Sequence, residues 1–299
     1  FLTLSFYYCR KFFGSDLAYF YTLLLSCNPL TMTAGRRVLQ DSCLNLFWAL
    51  SIWLFLDFLV NRKKKTFIVF LLVFSVSIMV KEASVALMVF FIFVYFLHKY
   101  AYKQKVSNNY LLSMCVVPLL LVGGVYVSIF GLPNVIALVK FISGVHFISQ
   151  VTNSYSLYGM GPWYKYVIDY LMITPVTTLL CIGYLGYLAG VRRLEWKIAY
   201  FISYLLIVFV MFSSMKYTKI VRFVMSLDVV VSLFAVLALY EFFRQKDRKI
   251  QTYFVFFCVA AIFFVNYYNF VYLFLKLNIY DPISYMLLTA KQIIPFVSC

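Results

Sequence analysis

Four short polar stretches interrupt an otherwise apolar chain, and each carries groups able to hold an anion or move a proton. The first is Gly35-Arg36-Arg37-Val38-Leu39-Gln40-Asp41, two cations and a carboxylate between the apolar runs Leu17–Met32 and Ser42–Val60. The second is Lys81-Glu82, followed by the small pair Ala83-Ser84. The third, Gly159-Met160-Gly161-Pro162-Trp163-Tyr164-Lys165-Tyr166, leads to Asp169, four residues after Lys165. The fourth, Lys216-Tyr217-Thr218-Lys219-Ile220-Val221-Arg222, holds three cations in seven residues, with Asp228 nearly two helical turns beyond. Charge beside an apolar span is costly to desolvate and is rarely kept without a partner or a task. Arg grips phosphate oxygens in a bidentate way and Lys acts as a point charge, so an anionic ligand would account for all four stretches.

Each stretch also has a plainer explanation. Arg36 and Asp41 read equally as a helix cap with a local ion pair, the carboxylate favoured by the helix dipole. Lys81 and Glu82 could simply compensate each other. Lys165 and Asp169 have the spacing of a helix-surface salt bridge, and Trp163 and Tyr164 suit an interfacial aromatic belt. His98 and His146 have no partner at ligand spacing. The seven cysteines include no CxxC pair, and six of them lie in or beside apolar runs, as small buried hydrophobes do. A metal therefore stays unknown, with a divalent ion possible. No Ser-His-Asp set, P-loop or dinucleotide-binding glycine pattern is present.

The elements that must position these groups follow from hydropathy. The 299 residues are 65% hydrophobic and 12% charged, whereas soluble domains run near 45–50% and about 25%. Apolar runs recur along the whole chain, so it is expected to be all-α, a polytopic membrane bundle of about ten spans, one partial. The spans fall at 1–9, 15–32, 42–60, 66–98, 109–130, 166–190, 198–214, 222–240 and 252–273. Block 66–98 is expected to turn at Lys81-Glu82, making two arms of about 15 residues, each ~22 Å long and shorter than a ~30 Å hydrocarbon core. Residues 131–165, rich in Gly and Pro breakers, form an external loop with an interfacial helix near Val135–Ile148. One transmembrane domain covers the chain, and the opening residues read as the tail of a span whose start lies upstream of Phe1.

The net charge of +16 would suggest nucleic acid in a soluble protein. Here sixteen of the 26 cations fall in short loops on one side, from Arg10 and Lys11 through Arg62–Lys65, Lys99–Lys105, Arg192–Lys197 and Arg244–Lys249. That is the cytoplasmic signature, and it leaves nucleic acid without support. The remaining ten, including Arg36, Lys81, Lys140, Lys165, Lys219, Arg222 and Lys276, face the other way and call for an anionic headgroup there.

Several stretches together resemble the lipid-linked-sugar glycosyltransferases of the GT-C class, which include protein O-mannosyltransferases and the aminoarabinose transferases of lipid A. Ser26-Cys27-Asn28-Pro29 followed by Arg36 and Asp41 is similar to a conserved region of that class, and Val80-Lys81-Glu82-Ala83-Ser84 to its Lys-Glu turn. Gly161-Pro162-Trp163-Tyr164-Lys165-Tyr166 with Asp169 resembles its loop-to-helix entry, Lys219-Ile220-Val221-Arg222-Phe223-Val224 its Leu-Arg-Tyr segment, and Tyr280-Asp281-Pro282 a tail motif. Asp228 departs from the Pro or Tyr found there. The resemblance implies sugar transfer from a polyprenyl-phosphate donor to a lipid, glycan or protein acceptor outside the cytoplasm, in a bacterial inner membrane with a periplasmic or extracellular active face. It implies Asp41 as the secondary acidic position, a main catalytic carboxylate upstream of the chain, and Arg36, Lys81, Glu82, Trp163, Lys165, Lys219 and Arg222 as substrate-binding. A lipid-linked oligosaccharide flippase or transporter, an O-antigen polymerase-like protein and a non-catalytic scaffold are the rival readings. The absence of an internal repeat weakens the transporter.

Overall fold

Two runs of aromatic side chains hold the helices of this bundle together. The computed structural model describes residues 1–36, 40–143, 162–191, 194–214 and 221–276. Within them every regular element is helical. Among the described residues six stretches are long and apolar enough to cross a membrane, and Pro175–Ala189 is a shorter apolar helix, against about ten spans expected from hydropathy.

α1 (Leu2–Phe13) and α2 (Ser15–Ser26) form a tight hairpin through Gly14. Gly14 has φ +95°, a conformation that strains any residue with a Cβ. α2 stops at Cys27, well short of the expected end of a 15–32 span. Asn28 Oδ1 accepts the Leu30 N–H at 2.9 Å, and Pro29 opens a separate short helix, α3 (Pro29–Arg36). The break is local chemistry: Pro disfavours a helical conformation for the residue before it, and Asn caps the helix that follows.

α4 (Gln40–Asn61) runs back through the bundle, with Trp48 and Trp53 buried at 1% exposure. Trp53 stacks on Tyr8 and Phe12 and meets the edges of Tyr21 and Phe201. α5 (Lys64–Val80) is followed by a 3-10 turn, Glu82–Val85, then α6 (Ala86–Phe96) and a π-helical turn, Leu97–Ala101. The hairpin expected at Lys81-Glu82 is present: Phe70 and Phe74 of α5 meet Phe91 of α6 edge-on at 4.8 and 5.2 Å. One straight helix would hold those rings about 25–32 Å apart. The second arm, however, reaches Ala101 and is long enough to span, because the helix continues through the π turn.

α7 (Asn108–Phe130) ends at Gly131, φ +77°, and α8 (Leu132–Ser143) follows with most of its residues exposed. The helix expected at 135–148 therefore begins three residues early, since Pro133 suits a first turn. Its expected end lies outside the described residues. The span expected at 166–190 is two helices, α9 (Lys165–Ile173) and α10 (Pro175–Ala189). Pro175 lacks the N–H that a continuous helix needs, and the Thr174 and Thr178 hydroxyls bond to the Tyr170 carbonyl at 3.2 and 3.1 Å. α11 (Trp196–Ser214), a 3-10 helix (Val221–Leu227), α12 (Asp228–Phe242) and α13 (Arg248–Asn269) with a π turn (Phe270–Lys276) complete the bundle.

The passes define two ends. At the first, Lys11 pairs with Asp57 at 2.7 Å, Arg248 with Asp16 at 3.0 Å, and Arg62 donates to Gln104 at 2.6 Å. The Lys197 ammonium donates to the Phe12 carbonyl, and the Tyr102 hydroxyl to that of Leu194. These contacts gather the basic loops assigned to the cytoplasm. The second end holds the termini of α3, α4, α5, α9 and the 3-10 helix 221–227, which carry the proposed substrate cations.

Candidate functional site

Lys81 caps α5 in an extended conformation, φ −158° and ψ 129°, which ends the helix and turns the residue towards α4. Its ammonium lies 2.7 Å from Asp41 Oδ1, in the first turn of α4, with the two side chains 18% and 11% exposed. Lys81 thereby bridges two helices through a partner forty residues away in sequence. Glu82 is exposed beside it.

The turn is anchored from below. Ser84, fully buried, accepts the Trp48 Nε1–H at 2.7 Å and donates to the Ser77 carbonyl at 2.7 Å. A larger residue at 84 would separate α4 from the turn and with it Asp41 from Lys81. The small residues after Lys81-Glu82 were the sequence signal for this close packing.

Lys165 and Asp169 are not on the helix surface as expected: both are buried, at 2% and 1% exposure. They sit on α9, whose start is marked by Trp163, 65% exposed, with its ring edge-on to Tyr164 and Phe209. Tyr166 and Tyr170 of the same helix line an apolar cleft of about 190 Å³, with Cys181, Leu205, Phe209 and Val231 on its other walls.

The 3-10 helix 221–227 lies at the centre of this end. It packs against α3, α4, α9 and α11 and runs directly into α12. Its second residue is Arg222. The backbone of Arg222 is thereby set among the helices that carry Arg36, Asp41 and Lys165. The side chains of Arg36 and Arg222, and all of Lys219, lie outside the described residues.

Asp228 is the residue at this end that the site reading left out. Its carboxylate is wholly buried. Oδ1 accepts the Tyr170 hydroxyl at 2.8 Å and Oδ2 accepts that of Thr31 at 3.1 Å, while the Tyr170 oxygen also lies 2.9 Å from the Val224 carbonyl. The sequence signal was available: a lone carboxylate inside an apolar run. Among the described residues no three His, Cys, Asp or Glu side chains gather, so no metal site is assigned.

With this geometry in hand, two comparisons bear on kinship. Residues 2–127 match the family model of the dolichyl-phosphate-mannose-protein mannosyltransferases. The structure superposes on the crystal structure of ArnT from Cupriavidus metallidurans bound to undecaprenyl phosphate, with a TM-score of 0.61 and 16% identity. The resemblance to the GT-C class holds. The superposition covers 87% of this chain and 47% of ArnT, so the chain spans about half of that protein. No curated protein sequence matches. The region matched by the family contains Arg36, Asp41, Lys81 and Glu82, while the fold match covers 87% of the chain and so extends past it, α8 to α13 being beyond the family match.

Proposed function

We propose that this chain is part of a membrane glycosyltransferase that moves a sugar from a polyprenyl-phosphate donor to an acceptor on the non-cytoplasmic side. The observation that carries the reading is the Asp41–Lys81 bridge between two helix ends, at the end of the bundle opposite the basic loops. The polyprenyl tail lies along apolar helix surface, with the cleft walled by Tyr166, Leu205 and Phe209 as its entry. The donor phosphate docks among Lys81, Lys165, Lys219 and Arg222, with Arg36 nearby and Trp163 against the sugar or the interface.

In the transfer step an acceptor hydroxyl or amine attacks the anomeric carbon. The bond from that carbon to the phosphate oxygen breaks, and the electron pair leaves with polyprenyl phosphate, whose charge becomes more negative by one. Cations fixed in advance at that oxygen stabilise the growing charge more than they stabilise the bound donor, which is what lowers the barrier. The acceptor proton passes to a carboxylate base. Asp41, engaged by Lys81, serves as an orienting second carboxylate. Glu82, exposed beside the pair, faces the acceptor.

The test is sugar transfer in membranes holding the full protein, from a labelled polyprenyl-phosphate sugar to endogenous acceptor. Arg222→Ala and Asp41→Ala should each reduce the rate by about 10²-fold, the usual cost of losing one preorganised charge-stabilising group. Wild-type rates in both variants would remove these residues from the site.

A further inference from the structure

Asp228 stands where three elements meet, and each carries a cation of the proposed site. Thr31 belongs to α3, which ends at Arg36. Tyr170 belongs to α9, which begins at Lys165. Val224, whose carbonyl lies 2.9 Å from the Tyr170 hydroxyl oxygen, belongs to the 3-10 helix that contains Arg222 and runs directly into Asp228. No lysine or arginine among the described side chains pairs with this carboxylate, although it is 0% exposed. A buried carboxyl group of this kind is costly to desolvate and contributes little net stability beyond the hydrogen bonds it makes. What it can contribute is one fixed arrangement of the groups that bond to it, since any other packing leaves a desolvated carboxylate unmet.

We propose that Asp228 is a positioning residue, whose carboxylate fixes α3 and α9 against the 221–227 helix, and with them the backbone positions of Arg36, Lys165 and Arg222 on which the phosphate site depends. The inference rests on the reading of this end as a polyprenyl-phosphate site. Asp228 touches no substrate itself. It acts through Thr31 and Tyr170.

The substitutions Asp228→Asn and Asp228→Leu separate the possibilities. Asn keeps an acceptor for Tyr170 and gains a donor for Thr31, whose hydroxyl oxygen can accept. Leu fills the space and bonds to neither. The full protein in nanodiscs is titrated with undecaprenyl phosphate, and backbone hydrogen exchange is followed without ligand. Asp228→Leu is expected to keep its Tm within a few degrees, to weaken binding at least tenfold, and to speed exchange in peptides covering 29–36 and 221–227 but not in α4. Asp228→Asn should return binding to within threefold of wild type. Tyr170→Phe removes one bond at minimal change of shape, and it should show the same pattern in weaker form even if the Leu variant does not fold.

Wild-type binding and exchange in both Asp228→Leu and Tyr170→Phe would overturn the proposal. So would a loss in Asp228→Asn equal to that in Asp228→Leu, or an acceleration spread evenly over the whole bundle. Should the wild-type protein fail to bind undecaprenyl phosphate, the functional reading falls, while the exchange pattern still decides whether Asp228 holds these elements.

Discussion

Lys81 and Asp41 illustrate what a single pair of side chains contributes here. Both are mostly withdrawn from water, and each removes the other's desolvation penalty at 2.7 Å. Truncating one partner removes the opposite charge beside the other, so Lys81→Met and Asp41→Asn should each be destabilising on their own. Their combination should recover part of the loss, with a coupling of about 1–3 kcal/mol in a double-mutant cycle read from thermal unfolding. Additive effects would mean the bridge is a weak surface pair. Transfer activity separates stability from function: the double variant should fold and still transfer poorly, because the cation facing the donor phosphate is gone.

Among the elements, the short turns decide the geometry more than the long spans do. Ser84→Ala leaves the buried Trp48 N–H without its acceptor, a loss of about 1–3 kcal/mol, visible as a lower Tm and a red-shifted Trp emission. An unchanged Tm would show that the turn is held some other way. The long elements were plain in the sequence: α4, α7 and α11 begin and end within two residues of the apolar runs that announced them. Hydropathy reports burial in lipid, and all three are continuous helices, α7 running on through Pro118. The breaks at Asn28-Pro29 and Thr174-Pro175 lie inside apolar runs, where a hydropathy window averages over a proline whose effect is local. The proline alone does not announce them, since Pro118 sits inside unbroken α7; at the two breaks the residue before the proline, Asn28 or Thr174, also bonds the backbone through its side chain. The site was legible in part. Lys81 and Asp41 were both selected, but their mutual bridge was not, because nothing in a sequence gives the distance between residues forty apart. Asp228 was read as a departure from a family motif, whereas its burial and three-way contact make it part of the same end of the molecule.

For the whole molecule, the separation of charge into two ends sets its orientation. Arg62, Lys99, Lys103 and Lys105 gather at the first end, beside the α4–α5 and α6–α7 connections. By the positive-inside rule that end is the one proposed to face the cytoplasm. In intact cells a membrane-impermeant maleimide should therefore modify a cysteine introduced at Glu82 and spare one introduced at Lys105; the reverse pattern would invert the molecule and move the proposed chemistry to the cytosol. The account as a whole rests on a polyprenyl phosphate docking at the second end. The most direct measurement is photo-crosslinking of the full protein with a polyprenyl phosphate carrying a photoreactive group beside the phosphate, followed by peptide mapping. Label on peptides containing Lys81, residues 162–173 and residues 221–227, competed away by unlabelled undecaprenyl phosphate, is the predicted result. Competed label confined to the Lys99–Ser107 connection, at the basic end, would contradict it.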